Sequence, residues 1–221
     1  MRQKRKRKIS KVFDAPYAKP TPTKLPAGKI IVDIGERELL SAELKLAAAE
    51  AEINTETIKL ESFVHAERRI GFIRTNKPVK YAIENPEYGE KGTKKRIRLR
   101  PAITQSLKNL RYEKAETSEK TADGIDFQYF TQKVNDRLTY GIFLAVSGNE
   151  AAYTVSVAEN KNDAINNAFS LLSSMIKRGY EANLKEHKIW WENFWNESCL
   201  NLPDKYFEKK WYVTNYLLGS C

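Results

Sequence analysis

The spacing of apolar positions changes its period once along this chain, near residue 160. Upstream of that point short runs favour strands. GKIIVDI (28–34) is a compact apolar run. LLSAELKL (39–46) alternates, with Leu40, Ala42, Leu44 and Leu46 on one side, as in a half-buried strand. The next segment, AAAEAEI, favours helix by propensity alone. Strand patterns flank it on both sides, so it reads as strand continuation or a turn. Residues 52–75 are rich in β-branched and aromatic side chains (Thr55, Thr57, Ile58, Phe63, Val64, Ile70, Phe72, Ile73) and predict two or three tightly joined strands. VKYAIE (79–84) and RIRLR (96–100) add two more, separated by a loop with the breakers Pro86, Gly89 and Gly92. Residues 103–124 are polar and weakly patterned. Asp123-Gly124 is a hairpin signal. IDFQYFTQ, LTYGIFLAVS and AYTVSVAE then read as a β-meander whose last turn lies at Ser147-Gly148-Asn149. Residues 28–158 therefore predict roughly eight to ten short antiparallel strands at sandwich-like spacing.

Downstream the period is helical. Ile165, Ala168, Phe169, Leu172, Met175 and Ile176 form one stripe, with Asn160 or Asn162 as candidate cap and Gly179 as candidate stop. A second helical pattern places Leu184, His187, Trp191, Phe194 and Trp195 on one face. A third starts after Pro203-Asp204, with Phe207, Trp211, Thr214/Asn215 and Leu218 on one face and Gly219 as a candidate C′ residue. Strands first and helices last make the chain α+β.

Composition changes this picture in one respect. The formal net charge is +10, but residues 1–24 hold nine Lys/Arg and one acid, leaving only +2 on the rest. The basicity belongs to a Pro-rich leader (1–27) that reads as extended and solvated. Its charge run, MRQKRKRK, lacks interleaved aromatics and the body adds almost no net basic charge, so a nucleic-acid partner is not expected. No apolar run approaches the roughly 20 residues of a membrane helix, and no apolar h-region follows the basic start. The two Cys (Cys199, Cys221) and two His (His65, His187) form no metal-binding spacing and no disulfide framework.

The candidate chemistry is sparse. GxGxxG, P-loop, GxSxG and HExxH motifs are all missing. His65 lies beside Glu61 and Glu67 and reads as a surface or partly buried strand histidine rather than a catalytic one. Arg68, Arg69 and Arg74 read as ordinary charges on the outer face of a strand. Glu192/Glu197 and Glu181/Glu186 are five apart, on different helix faces, which suits them poorly to flank one glycosidic bond. No catalytic, cofactor or metal residue is assigned. The aromatic stripe of the second helix reads as core in preference to a sugar-stacking platform.

His187, Trp190, Trp191, Phe194, Trp195 and Ser198, then Leu202-Pro203-Asp204, then Tyr212, Tyr216, Leu217, Leu218 and Ser220 carry a family resemblance. This H-x-x-W-W-x-x-F-W-x-x-S segment, L-x-L-P-D link and aromatic helix resembles the linker of glycoside hydrolase family 95, the α-L-fucosidases and their relatives. LPAGKIIV (25–32) and ESFVHAERRIGFIR (61–74) resemble strands of the same family's sandwich. The resemblance implies an antiparallel β-super-sandwich, incomplete here (28–158), then linker helices (159–203), then the first helix (204–221) of an α/α toroid barrel. It implies an inverting enzyme acting on terminal sugars of oligo- or polysaccharides, secreted or periplasmic as a whole, with its catalytic groups in the barrel. The chain itself is then expected to be an inactive internal fragment. Its Trp190, Trp191, Trp195 and Trp211 faces would lack a partner, and the isolated chain would be partly ordered or prone to aggregate. The alternative from the residues is a stand-alone β-sandwich carbohydrate-binding or interaction module.

Overall fold

The structure is a computed structural model, which describes residues 27–35, 38–85, 115 and 117–220. The basic leader up to residue 26, the RIRLR strand and most of the charged loop before it lie outside the described residues. Ten strands and three helices are described: β1 (Lys29–Asp33), β2 (Leu39–Lys45), β3 (Glu50–Thr55), β4 (Lys59–Val64), β5 (Ile70–Thr75), β6 (Lys80–Glu84), β7 (Ser118–Ala122), β8 (Ile125–Asn135), β9 (Leu138–Ser147) and β10 (Glu150–Ala158), then α1 (Lys161–Arg178), α2 (Tyr180–Glu197) and α3 (Lys205–Gly219). The chain is α+β, with two antiparallel sheets followed by helices.

Eight strands make one sheet in the order β2-β3-β4-β5-β10-β9-β8-β7, and β1-β6 form a two-stranded ribbon. Every ladder is antiparallel, the consecutive strands joined by short turns and β1–β6 and β5–β10 paired across longer stretches of chain. Asp123 and Gly124, at φ 53° and 73°, close the β7–β8 hairpin with both central residues left-handed, as a type I′ turn requires. The Ser147–Glu150 turn closes β9 on β10 with Gly148 at φ 59°.

The ladder register sorts side chains onto two faces, because alternate residues point opposite ways. One face carries Phe63, Ile70, Phe72, Phe127, Phe143, Ala145 and Ala152 and packs under Ala168, Leu172 and Met175 of α1. The other carries Leu60, Ile73, Phe130, Ile142, Leu144 and Ala151 and packs under the β1–β6 ribbon through Ile83, with Ile30 and Val32 partly buried there. The central strands β5 and β9 are buried on both sides for this reason. The molecule is thus a sheet with a helix on one face and a short second sheet on the other.

α1 follows its expected limits. Asn160 accepts from the Asp163 N–H at 3.0 Å and so caps one of the free donors of the first turn. Gly179, at φ 87°, turns the chain out of α1, and its N–H is bonded to the Met175 and Ile176 carbonyls. AAAEAEI is a turn followed by β3, as its flanks require.

Two expectations fail. β2 is not half-buried: Leu40 and Leu44 are 62% and 46% exposed. It is an edge strand, paired along one side only, with β3. A register shift between Leu39 and Ser41 bends it, a feature that discourages edge-to-edge pairing. The weakly patterned stretch before Asp123 contains β7, SEKTA, a polar strand that alternation cannot reveal. Its pairing with β8 across a two-residue turn makes it a strand.

Candidate functional site

The side chains with the most varied chemistry meet where α2 packs against β3, β4, β5 and the turns at their ends. Tyr180, Asn183, Leu184, His187 and Trp191 are the buried residues of α2. Tyr180 packs edge-on to Phe63, with Arg74 over its ring at 4.2 Å. Asn183 donates to the Met175 and Gly179 carbonyls at 3.0 and 2.7 Å, which ties α2 to the end of α1. His187 stacks near Phe63 at 4.8 Å, and Trp191 stacks on Tyr216 of α3 at 5.5 Å.

A belt of ion pairs runs along this seam. Arg74 holds Glu61 through Nε and Nη2 (3.0 and 2.8 Å) and also reaches Glu181. Arg68 (2.9 Å) and Arg178 both engage Glu186. Lys188 reaches the buried Glu50 at 3.2 Å, and Lys45 and Lys59 share Glu52. The arginines expected on an outer strand face instead face the helices in two cases, Arg68 and Arg74. Only Arg69 is exposed. The reason is tertiary, since α2 supplies two of the acids that pair with them.

These carboxylates are held ionised. Hydrogen bonds from Asn54 and Lys45 take the Glu52 carboxyl down to about 2. Burial works against ionisation at Glu61 and Glu186, but Lys59 and Arg74 outweigh it at Glu61, and Arg68 and Arg178 outweigh it at Glu186, so both lie below the ordinary range. A general acid for glycoside cleavage must keep its proton near neutrality. These groups are driven the other way and act as structural ion pairs. Glu192 and Glu197 are exposed on α2.

His65 departs from its expectation. It is buried at 3% exposure, in the turn after β4, and its nearest carboxylate is Glu186 at 3.8 Å across the seam. The Glu67 backbone N–H donates to its Nδ1 at 3.2 Å. The two histidines of the chain, far apart in sequence, lie 6.2 Å apart between ring centres. No spacing rule signals that pairing.

Two clefts border α3. One of about 220 Å³ lies between Leu44, Ala51, Ser62 and Val64 of the sheet and Trp191 and Tyr216 of the helices. The other, about 490 Å³ and more open, is lined by Leu46, Ala47, Trp195, Lys205, Glu208 and Tyr212. The polar groups of the larger cleft also hold the connector between α2 and α3. The Tyr212 hydroxyl donates to the Leu200 carbonyl at 3.1 Å, and Glu208 accepts from the Leu202 N–H at 2.7 Å and from Lys205 at 2.8 Å.

The expected face of α3 is also corrected. Phe207 and Leu218 are 60% and 69% exposed, and the inward side is Glu208, Tyr212, Tyr216 and Gly219. Gly219 lies inside the helix. A Cβ there would meet the Phe194 ring at 3.0 Å and the Trp191 ring at 3.1 Å, so glycine permits the close crossing. Trp191, expected to lack a partner, is 3% exposed and covered by its own chain.

Among the described residues, no group of three or more His, Cys, Asp or Glu is placed to hold a metal ion, and no helix is long and apolar enough to cross a membrane. No protein-family model matches the chain, and no curated protein matches it.

Proposed function

We propose that this chain is the sheet-and-linker scaffold of an inverting, α-L-fucosidase-like glycoside hydrolase that removes terminal sugars from oligo- or polysaccharides. In this reading the chain does not perform the chemistry. Inversion needs one carboxylic acid to protonate the leaving oxygen and a second group to activate water on the opposite face. Both belong to an α/α domain that docks on α3. The observation that supports the reading is the way the H-x-x-W-W-x-x-F-W segment sits. Its histidine bonds α2 to two turns of the sheet and its second tryptophan packs on Tyr216 of α3, while α3 turns Tyr206, Phe207, Leu217 and Leu218 outward at 58–69% exposure. Such an outward apolar stripe suits a helical neighbour. The test is hydrolysis of a chromogenic α-L-fucoside panel by residues 1–221 and by a version extended through the coding sequence on either side. Cleavage only by the extended protein is the expected result. Cleavage by residues 1–221 alone overturns the scaffold role, and silence in both overturns the hydrolase.

A second reading, a carbohydrate-binding module, draws on the open cleft with Trp195 and Tyr212 in its wall. Aromatic faces stack on sugar rings, and the charged rim offers partners for hydroxyls. It expects quenching of tryptophan emission by fucosylated oligosaccharides, lost in Trp195→Ala. No quenching by any of them removes this reading.

A further inference from the structure

Both ring nitrogens of His187 are committed to backbone, and to two different turns of the sheet. Its Nδ1 lies 3.1 Å from the Ala66 N–H, in the β4–β5 turn. Its Nε2 lies 2.9 Å from the Ala48 carbonyl, in the β2–β3 turn, with the Ala49 carbonyl at 3.4 Å. A backbone N–H can only donate and a carbonyl can only accept. The ring must therefore carry its proton on Nε2 and be neutral. His187 is fully buried, so no water replaces either bond.

We propose that His187 is an acid-labile latch that holds the α2–α3 pair on the end of the sheet and releases it when the ring takes a second proton. The inference does not depend on the hydrolase reading. A proton on Nδ1 would point at the Ala66 N–H, turning an acceptor into a second donor. It would also place a charge in a site packed against Phe63 and Trp191. The charged groups around it do not compensate. Glu50 of β3 is already paired with Lys188 of α2. His65, in the β4–β5 turn, is a second buried imidazole. It faces Glu186 of α2, which Arg68 of the turn and Arg178 of α1 already hold, and Glu67 of the same turn is exposed.

Burial pushes the His187 imidazole below its ordinary 6.5, against the opposing pull of its carbonyl partners, and burial does the same at His65. A base depressed in the folded state contributes fully above about pH 6.5. Its contribution falls as pH drops below that value and is gone once pH lies below the folded pKa. Glu186 and Glu61 are held below the ordinary carboxylate range, so they stay charged through the start of this window.

The experiment uses residues 1–221 between about pH 7.5 and about pH 4.5, spanning the imidazole range. Two readouts are followed: tryptophan emission and amide protection of Ala66. All four tryptophans lie in α2 and α3, so emission reports on the latch side alone. The expected result is a red shift together with loss of Ala66 protection of up to about tenfold per pH unit for one coupled proton. Amides of β8–β10 stay protected. His187→Gln keeps an acceptor and a donor without a titrating proton and flattens the transition, while His65→Gln retains it. A wild-type protein flat over this range, a transition surviving in His187→Gln, or one abolished by His65→Gln overturns the proposal. The Ala66 readout in the unmutated chain decides the matter if His187→Gln fails to fold.

Discussion

α1 and α3 are both amphipathic by pattern, yet one is sunk into the molecule and the other merely leans on it. α1 buries Ala164, Ala168, Leu172 and Met175. α3 has Trp211, Tyr212, Tyr216, Phe207 and Leu218 among its fifteen residues and buries none of them below the surface. The difference is what each helix meets. α1 lies on a continuous floor of Phe127, Phe143, Ala145 and Ala152, and its alanines let the backbones approach. α3 leans mainly on α2, with Tyr216 on Trp191, Tyr212 beside Trp195 and a close approach at Gly219. Aromatic content therefore measures how much surface an element has to bury, and the size of its neighbour decides how much is buried.

The largest test of that contrast is Leu172→Ala. Leu172 is fully buried, so its truncation should cost about 2–5 kcal/mol and lower the cooperative unfolding of the whole chain in denaturant. A loss below about 0.5 kcal/mol, the range of surface substitutions, would mean α1 is not part of the sheet's core. Gly219→Val should cost about 1–3 kcal/mol by overpacking against Phe194 and Trp191. That loss is expected in α3 alone, as faster hydrogen exchange of its amides while β5 and β9 keep theirs. Equal loosening of both would make α3 part of the same cooperative unit.

The caps give a finer comparison. Asn160→Ala and Asp204→Ala each remove one side-chain acceptor from a first turn, worth about 1 kcal/mol. The first should lower global stability, and the second should only fray α3. The smallest effect is at Glu52. Its carboxyl is depressed to about 2, so it favours the folded state above the ordinary carboxylate range, and that contribution is lost as pH falls from there towards 2. Glu52→Gln should reduce the acid sensitivity of unfolding in that window without moving the imidazole-range transition, because Asn54, Lys45 and Lys59 rather than either histidine face it.

Much of the architecture is legible along the chain. The hairpin turns at Asp123-Gly124 and Gly148-Asn149, the cap at Asn160, the stop at Gly179 and the stripe of α1 all follow from local rules, because each involves residues a few positions apart. β7 was illegible because a polar edge strand has no alternation to read. The exposure of β2 was illegible because alternation says which side is apolar and not whether another layer covers it.

At the helix–sheet seam the division is sharper. The order of residues alone shows that strands precede helices, that all four tryptophans fall after residue 186, and that the basic charge is concentrated in residues 1–24. Folding is what brings Arg74 to Glu61 and Glu181, turns Tyr212, Tyr216 and Gly219 of α3 inward, and sets His187 between Ala48 and Ala66. Those partners lie many residues apart. Spacing rules act through neighbours three or four residues away on a helix, or two on a strand. Contacts across the seam depend instead on where the end of a sheet and a crossing helix come to rest.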